Sequence, residues 1–156
     1  MAGHLAAAGY ELTVYDLDPA AAKRVKGSFD NVVVASSASE VAANAEVVIT
    51  MPPDGNAVRE VTFASDGLAD GFRAGSLLLD TSSSQPWLTR QTATELAASG
   101  VDMVDAAVSG SQWGAQEADL VFMVGGSPES VAHVSLRSCR FLVGCTSMWG
   151  RSVLVT

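Results

Sequence analysis

Positive charge is scarce in this sequence of 156 residues, where nine lysines and arginines stand against 17 aspartates and glutamates and the formal net charge is −8. Recognition of nucleic-acid phosphates needs clustered Lys and Arg, so nucleic acid is excluded as an expected partner. The charged fraction of 17% is itself low for a fully solvated surface. We therefore expect some apolar surface to meet a partner.

Cysteines and long apolar runs are also few. Cys139 and Cys145 have no histidine nearby at metal-ligand spacing, so neither a zinc site nor a disulfide framework is expected. No stretch approaches the roughly 18 to 20 apolar residues of a membrane span. Residues 1–8 lack the charged segment and cleavage site of a secretory signal. We predict a cytoplasmic protein without a metal site or a membrane segment.

What the sequence does contain is an alternation of strand and helix patterns. Short apolar strands are predicted at 11–15, 31–35, 46–51, 76–79, 102–108 and 120–124, with helices at 1–8, 18–26, 37–44, 54–64 and 86–99. Helix-start signals support the pattern, among them Asp18 before Pro19 and the pair Ser37 and Glu40 at capping-box spacing. Such alternation predicts an α/β fold, a parallel sheet covered by helices on both faces, over about residues 1–135.

Polar and special-backbone residues collect where four of these strands end. In an open α/β sheet, ligands bind outside the carboxyl ends of the strands. Those ends are Asp16, Met51 to Pro53, Asp80 to Ser83 and Ala107 to Gly110. The last leads from Ser109 and Gly110 into a polar segment, predicted as a loop, whose backbone and hydroxyl donors could surround an anion.

Each candidate also has a purely structural interpretation. Asp16 is placed to bind the ribose of a dinucleotide, or it is a solvated acid at a turn. Pro52 and Pro53 form a helix-breaking turn or a rigid border beside a cofactor. Ser82 and Ser83 are helix caps or ligand contacts.

A hydrolase triad built on Ser109 and a catalytic pair of carboxylates are both disfavoured. Ser109 has no histidine within its loop, since of the only two histidines His4 lies in the first predicted helix and His133 in a further helix expected near the other end. Asp105 and Glu117 make a weak carboxylate pair, because nothing fixes the separation between a strand residue and a loop residue.

Four ordered stretches carry a resemblance to a known family. They are MAGHLAAAGYELTVYDLDP from residue 1, VVITMPP from 47, LLLDTSSSQP from 77 and VDAAVSGSQWGAQEADLVFMVGG from 104. Together they resemble the β-hydroxyacid dehydrogenase family, which includes 3-hydroxyisobutyrate and 6-phosphogluconate dehydrogenases. Members have an N-terminal Rossmann domain that binds NAD or NADP, and a C-terminal helical domain that completes the active site.

The resemblance implies a role for each strand-end residue. Asp16 would favour NAD over NADP, and Pro52 and Pro53 would border the nicotinamide half of the cofactor. Ser83 stands where members place a cofactor-contacting Ser or Thr. Ser109 and Gly110 would hold the carboxylate of a small hydroxyacid.

Several family features are absent or changed. Members usually carry Pro at the position of Ala107 and Gly at the positions of Ser111 and Ala118, so the segment from Ala107 to Ala118 has less stiffness at one point and less backbone freedom at two. Met1 corresponds to a position inside the family's first helix, so the first strand and the glycine-rich phosphate loop are missing. The catalytic lysine is missing too, because the only lysines are Lys23 and Lys26.

These observations lead to one main hypothesis and two alternatives. The main hypothesis is an NAD(P)-dependent oxidoreductase of the 3-hydroxyisobutyrate dehydrogenase type that oxidises a β-hydroxyacid to its semialdehyde, present as an inactive fragment. The alternatives are a non-catalytic interaction module, which binds a second copy or an intact homologue, and a semialdehyde or imine reductase of the same superfamily.

Residues 136–156 lose the family's helical pattern, which indicates either a frameshift or premature stop or a natural short domain. Without its central first strand, the sheet is expected to be unstable or to associate through exposed edges.

Overall fold

The computed structural model describes residues 1–137. The chain forms eight helices and six strands over this range: α1 (Ala2–Ala7), β1 (Leu12–Val14), α2 (Pro19–Lys26), β2 (Val32–Val34), α3 (Ala38–Ala43), β3 (Val47–Thr50), α4 (Gly55–Phe63), α5 (Leu68–Gly71), β4 (Leu77–Asp80), α6 (Pro86–Ala97), β5 (Asp102–Ser109), α7 (Ser111–Glu117), β6 (Val121–Gly125) and α8 (Pro128–Arg137). The predicted boundary at residue 136 falls within α8. The rest of the predicted tail, with Cys139 and Cys145, lies outside the described residues.

The strands form two sheets. One is a parallel pair of β1 and β2, and the other has the order β3-β4-β5-β6. Strands β3, β4 and β5 run parallel, whereas β6 pairs antiparallel with β5, Ser109 lying opposite Val121. Within the described residues, β1 and β3 each have a ladder partner on one side only. The α/β fold with a parallel sheet is therefore confirmed, with an antiparallel strand added at one edge.

Two apolar clusters cover the two faces of the larger sheet. On one face Val48, Leu78 and Val101 pack with residues of α3, α5 and α6. On the other, Leu77, Leu79 and Val104 pack with Val134 of α8. Because neighbouring residues of a strand point to opposite faces, the run of leucines in β4 supplies both clusters. Helices on both faces match the prediction from the alternating pattern.

Helix starts follow the predicted capping residues. The Asp18 carboxylate accepts a hydrogen bond from the Ala20 N–H and the Ser37 hydroxyl accepts one from the Glu40 N–H. The Glu40 carboxylate reaches back to the N–H and hydroxyl of Ser36, which lowers the pKa of Glu40. The second bond of the capping box is thus shifted by one residue from the usual arrangement.

The segment between β5 and β6 differs from the prediction of a loop. Residues 111–117 form the short helix α7, whose two ends are left-handed in backbone conformation, at Ser111 with φ of 58° and at Ala118 with φ of 56°. The helix was not predicted because it has no apolar periodicity and contains a glycine, Gly114. The polar segment itself follows β5 directly, as the sequence predicted.

Candidate active site

A cleft of about 300 Å³ opens at the carboxyl ends of β3, β4 and β5. It is lined by Met51, Pro52, Pro53, Thr81, Ser82, Ser83, Val108, Ser111 and Leu120. One part of this lining is apolar and the other carries hydroxyl groups. This location is the one at which open α/β sheets bind their ligands.

Asp80, a fully buried acid at the end of β4, directly precedes the cleft-lining residues Thr81, Ser82 and Ser83. Its Oδ1 accepts hydrogen bonds from the Thr50 hydroxyl at 3.0 Å, the Ser82 N–H at 3.1 Å and the Ser82 hydroxyl at 2.6 Å. The Thr81 hydroxyl donates to the Thr50 carbonyl at 2.7 Å. The ends of β3 and β4 and the residues that follow β4 are therefore held together by side chains as well as by the strand ladder.

A second acid, Asp105 of β5, lies in register with Asp80 on the neighbouring strand. Each has one buried carboxylate oxygen without a hydrogen bond from residues 1–137, Oδ2 of Asp80 and Oδ1 of Asp105. Burial and then the nearby charge of Asp80 raise the pKa of Asp105 to about 6, although the Ala107 N–H donates to this carboxylate. The carboxylate neighbour of Asp105 is thus Asp80, rather than Glu117 as the weak sequence pair proposed.

The other wall of the cleft follows β5 through a tight reversal. Gly110 has φ of 133°, and a Cβ there would approach Leu120 Cδ2 at 3.1 Å and the Asp119 carbonyl at 3.2 Å. Glycine is therefore required by both conformation and space. Ser109 and Gly110 are exposed beside the cleft, between Val108 and Ser111, which line it.

The structure brings most of the predicted site residues to one place. Pro52, Pro53 and Ser83 line the cleft, and Ser109 and Gly110 lie at its margin. Asp16 stands apart, because it follows β1 of the two-stranded sheet. Its exposed carboxylate accepts a hydrogen bond from the Asp18 N–H at 2.8 Å, which is the turn contact of the structural interpretation.

Thr50 and Thr81 contribute to the site; Thr50 was not singled out in the sequence, and Thr81 was included only as part of the predicted strand end from Asp80 to Ser83. Both occupy positions in apolar or serine-rich runs where a threonine carries no distinctive signal. The one available clue was their position at the carboxyl ends of buried strands, at which polar side chains need partners.

The lining of the cleft suits a flat ring with a polar substituent. Met51, Pro52, Val108 and Leu120 offer apolar surface, while the serine and threonine hydroxyls offer donors and acceptors. Its volume of about 300 Å³ is that of a small-molecule site. Among residues 1–137, no three His, Cys, Asp or Glu side chains are grouped so that they could hold a metal ion. In the same range no helix is both long and apolar enough to cross a membrane.

Fold and site together define an α/β domain of the Rossmann type, with a small-molecule cleft at the carboxyl ends of its strands. Comparison with known proteins identifies the family. Residues 1–136 match the NAD binding domain of 6-phosphogluconate dehydrogenase. The chain therefore belongs to this family of NAD-binding domains, as its resemblance to the β-hydroxyacid dehydrogenases predicted, and the family is one of oxidoreductases.

Individual relatives agree. The 3-hydroxyisobutyrate dehydrogenase of Pseudomonas aeruginosa is 38% identical over 134 residues, 85% of this chain and 44% of that protein. The mitochondrial 3-hydroxyisobutyrate dehydrogenase of Mus musculus is 37% identical over 132 residues, 85% of this chain and 39% of that protein. This chain thus spans about two fifths of the length of these relatives.

Solved structures show the same architecture. The 3-hydroxyisobutyrate dehydrogenase of Mycobacterium tuberculosis, in a structure with L-serine, superposes with a TM-score of 0.77 at 34% identity, covering 85% of this chain and 44% of that one. An imine reductase from Myxococcus stipitatus in complex with NADP⁺ superposes with a TM-score of 0.76 at 17% identity, covering 86% of this chain and 45% of that one. At that identity the second likeness establishes the fold alone.

Proposed function

We propose that this chain is the cofactor-domain part of an NAD-dependent dehydrogenase of the 3-hydroxyisobutyrate type, which oxidises a β-hydroxyacid to its semialdehyde. The observation that carries the proposal is the meeting of two features at one cleft. Pro52, Pro53 and Ser83 supply a rigid border and a hydroxyl, and Ser109 and Gly110 adjoin them. A cofactor ring and a small acid could therefore lie side by side.

The bound cofactor would accept a hydride from the hydroxyl-bearing carbon of the substrate. In this proposal the prolines and Met51 would border the nicotinamide ring, and the Ser83 hydroxyl would hydrogen-bond to the carboxamide of the nicotinamide. Ser109 and Gly110 hold the substrate carboxylate, so that the hydroxyl-bearing carbon is directed towards the ring. The buried network of Thr50, Asp80 and Ser82 fixes the backbone that carries Ser83.

Asp16 is the proposed determinant of NAD over NADP. A carboxylate at the end of this strand accepts hydrogen bonds from ribose hydroxyls and repels a 2′-phosphate. The side chain is exposed, and its contact with the Asp18 N–H holds it at the end of β1. The cytoplasmic location remains a prediction, since the mouse relative is named as a mitochondrial protein.

Titration with NADH and NADPH tests the cofactor assignment. We expect NADH to bind more tightly, and Asp16→Asn to weaken NADH binding about tenfold, because a hydrogen bond to a charged group contributes roughly 1.5 to 3 kcal/mol. Asp30→Asn is the matched control. It removes the same charge from an exposed turn just before β2, at the opposite end of the smaller sheet from Asp16. Equal NADH affinities in both variants and the unaltered chain would overturn the role of Asp16.

We further propose that residues 1–156 by themselves turn over no β-hydroxyacid. The reaction needs a group to take the hydroxyl proton, and the only lysines, Lys23 and Lys26, belong to α2, which packs against β2 of the smaller sheet. Incubating the purified chain with NAD⁺ and 3-hydroxyisobutyrate should produce no NADH above a protein-free control. Turnover proportional to protein concentration would refute this.

A second candidate function, an interaction module, is favoured by exposed apolar side chains at one edge. Met123 of β6 is 55% exposed, Val121 of β6 is 49% exposed and Trp113 of α7 is 77% exposed. Under this alternative the chain associates with a second copy or an intact homologue. Gel filtration with and without NADH separates the two functions: an oligomer that binds no nucleotide favours the module, and a nucleotide-binding monomer favours the cofactor domain.

A further inference from the structure

Helix α7 has little to hold it in place through its own side chains. None of its residues is buried, and Trp113 is mostly exposed. Both of its ends require a left-handed conformation at a residue other than glycine, Ser111 and Ala118, which is unfavourable for a side chain with a Cβ. The position of this helix must therefore depend on contacts with other elements.

One such contact comes from the far end of the chain. Nε2 of His4, on α1, lies 2.8 Å from the carbonyl oxygen of Ala115 in α7, across 111 residues of sequence. Helix α1 is itself anchored, because Leu5 and Ala6 are buried. It packs against β1, so the hydrogen bond joins the smaller sheet to the helix that follows Ser109 and Gly110.

The chemistry of this contact fixes the direction of the bond. A carbonyl oxygen only accepts, so Nε2 must carry a proton and donate it. In the neutral imidazole this selects the Nε2–H tautomer. A mixture of tautomers would leave the Ala115 carbonyl without this donor for part of the time.

We propose that His4 is a positioning residue that holds α7 against α1 and so sets the placement of the segment from Ser109 to Ser111. The effect on substrate binding rests on the function proposed above. The hydrogen bond from His4 to the Ala115 carbonyl, called the tether below, does not. Through this contact the half of the domain that carries Asp16 is coupled to the half that carries the Ser-Gly turn.

Hydrogen exchange measured by mass spectrometry in dilute solution tests the tether. We expect amides of residues 111–118 to exchange at least tenfold faster in His4→Ala, while peptides covering β4 and β5 keep their rates. His4→Gln should restore slow exchange, because the glutamine Nε2 stands at a similar distance and also donates. His133→Gln is the control and should leave α7 unaffected. Equal rates at 111–118 in all four proteins would overturn the tether.

A measurement on the unaltered chain keeps the proposal falsifiable if His4→Ala does not fold. Long-range ¹⁵N–¹H correlation of labelled histidines at alkaline pH distinguishes the two neutral tautomers, and His133→Gln assigns the signals. The tether requires the Nε2–H form at His4. A predominant Nδ1–H form would overturn it, whatever the variants do.

Hydrogen exchange in the presence of ligands tests the tether and the proposed function separately. Millimolar 3-hydroxyisobutyrate with NAD⁺ should slow exchange at residues 109–118 in the unaltered chain, and should slow it less in His4→Ala. If the ligands change nothing while His4→Ala still accelerates exchange, the substrate assignment is overturned and the tether is supported.

Discussion

At the scale of single residues, the most informative group is Asp105, an acid whose ionised form is disfavoured by the fold. Its pKa is raised to about 6 from an ordinary value of 3.8, by burial first and by Asp80 second. The folded chain therefore binds a proton more tightly than the unfolded chain between about pH 4 and 6, so this group's contribution to stability falls as the pH rises through that window. Above about pH 6 Asp105 is ionised, and the full free-energy cost of burying its charge reduces the stability of the fold.

Asp105→Asn should stabilise the protein at pH 7 by about 1 to 2 kcal/mol, since a full pKa unit corresponds to about 1.4 kcal/mol and solvent screens this half-exposed group. The new amide can also donate to the orphan Oδ2 of Asp80. Urea unfolding from pH 4 to 8 measures the effect. Asp102→Asn, exposed on the same strand, is the control. Parallel stability curves for Asp105→Asn and the unaltered chain would contradict the prediction.

The two left-handed residues that bound α7 make a second prediction at this scale. Ser111 and Ala118 occupy positions at which relatives of this family were expected to carry glycine, and both have a positive φ. A left-handed conformation costs a non-glycine residue roughly 1 to 2 kcal/mol. Ala118→Gly should therefore stabilise the chain by about 1 kcal/mol, after the greater freedom of glycine in the unfolded state is subtracted.

The matched control is Ala98→Gly, the same substitution at a right-handed residue with φ of −62°. It should destabilise by roughly 0.5 to 1 kcal/mol, because glycine gains freedom in the unfolded chain and relieves no strain. Denaturant titration of both variants compares the signs. If both substitutions destabilise, Ala118 is not strained in solution.

At the scale of elements, the sequence predicts well those helices and strands that carry local signals. Asp18 with Pro19 marked the start of α2, and Ser37 with Glu40 marked α3, because a cap is a contact between neighbours in sequence. Helix α7 and the antiparallel direction of β6 carry no such signal. They depend on Gly110 reversing the chain against Leu120, a contact that exists only after the strands have paired.

The partner of Asp105 illustrates the same limit. Its neighbour Asp80 lies 25 positions earlier in the sequence and is brought beside it by the register of β4 against β5. The sequence placed Asp80 at the end of one strand and Asp105 within another, but it could not fix which two strands would be neighbours or in what register. Strand-end position was predictable for Pro52, Pro53, Ser83, Ser109 and Gly110, and their grouping around one cleft followed from the parallel order.

The crossing of α3 and α5 supplies a prediction for elements. A Cβ at Gly71 would overlap the backbone carbonyl of Ser39, which cannot move without shifting α3. Gly71→Ala should therefore destabilise by about 1 to 3 kcal/mol through overpacking of the cluster around Leu68 and Leu78. Gly27→Ala, at the end of α2, meets no contact closer than 3.3 Å and has φ of −65°, so it should change stability by less than about 0.5 kcal/mol. Equal effects of the two substitutions, measured by urea unfolding, would contradict the predicted close approach.

At the scale of the whole molecule, residues 1–137 form two separate sheets with unpaired edge strands. Strands β1 and β3 each lack a second partner among residues 1–137, and in a doubly wound order one further strand would lie between them. Such a central strand is worth on the order of 10 kcal/mol in ladder hydrogen bonds and buried aliphatic side chains. That amount rivals the whole stability of a typical domain, roughly 5 to 15 kcal/mol.

Residues 1–156 made alone should therefore unfold at low denaturant concentration, and should associate increasingly as the protein concentration rises, because open strand edges pair between molecules. An N-terminal extension that encodes an alternating apolar strand and a glycine-rich turn should raise the midpoint and reduce association. An extension of the same composition in scrambled order is the control, since it adds the same apolar residues without a strand pattern. A cooperative transition from a concentration-independent monomer of residues 1–156, unchanged by either extension, would show that the two sheets need no strand between them.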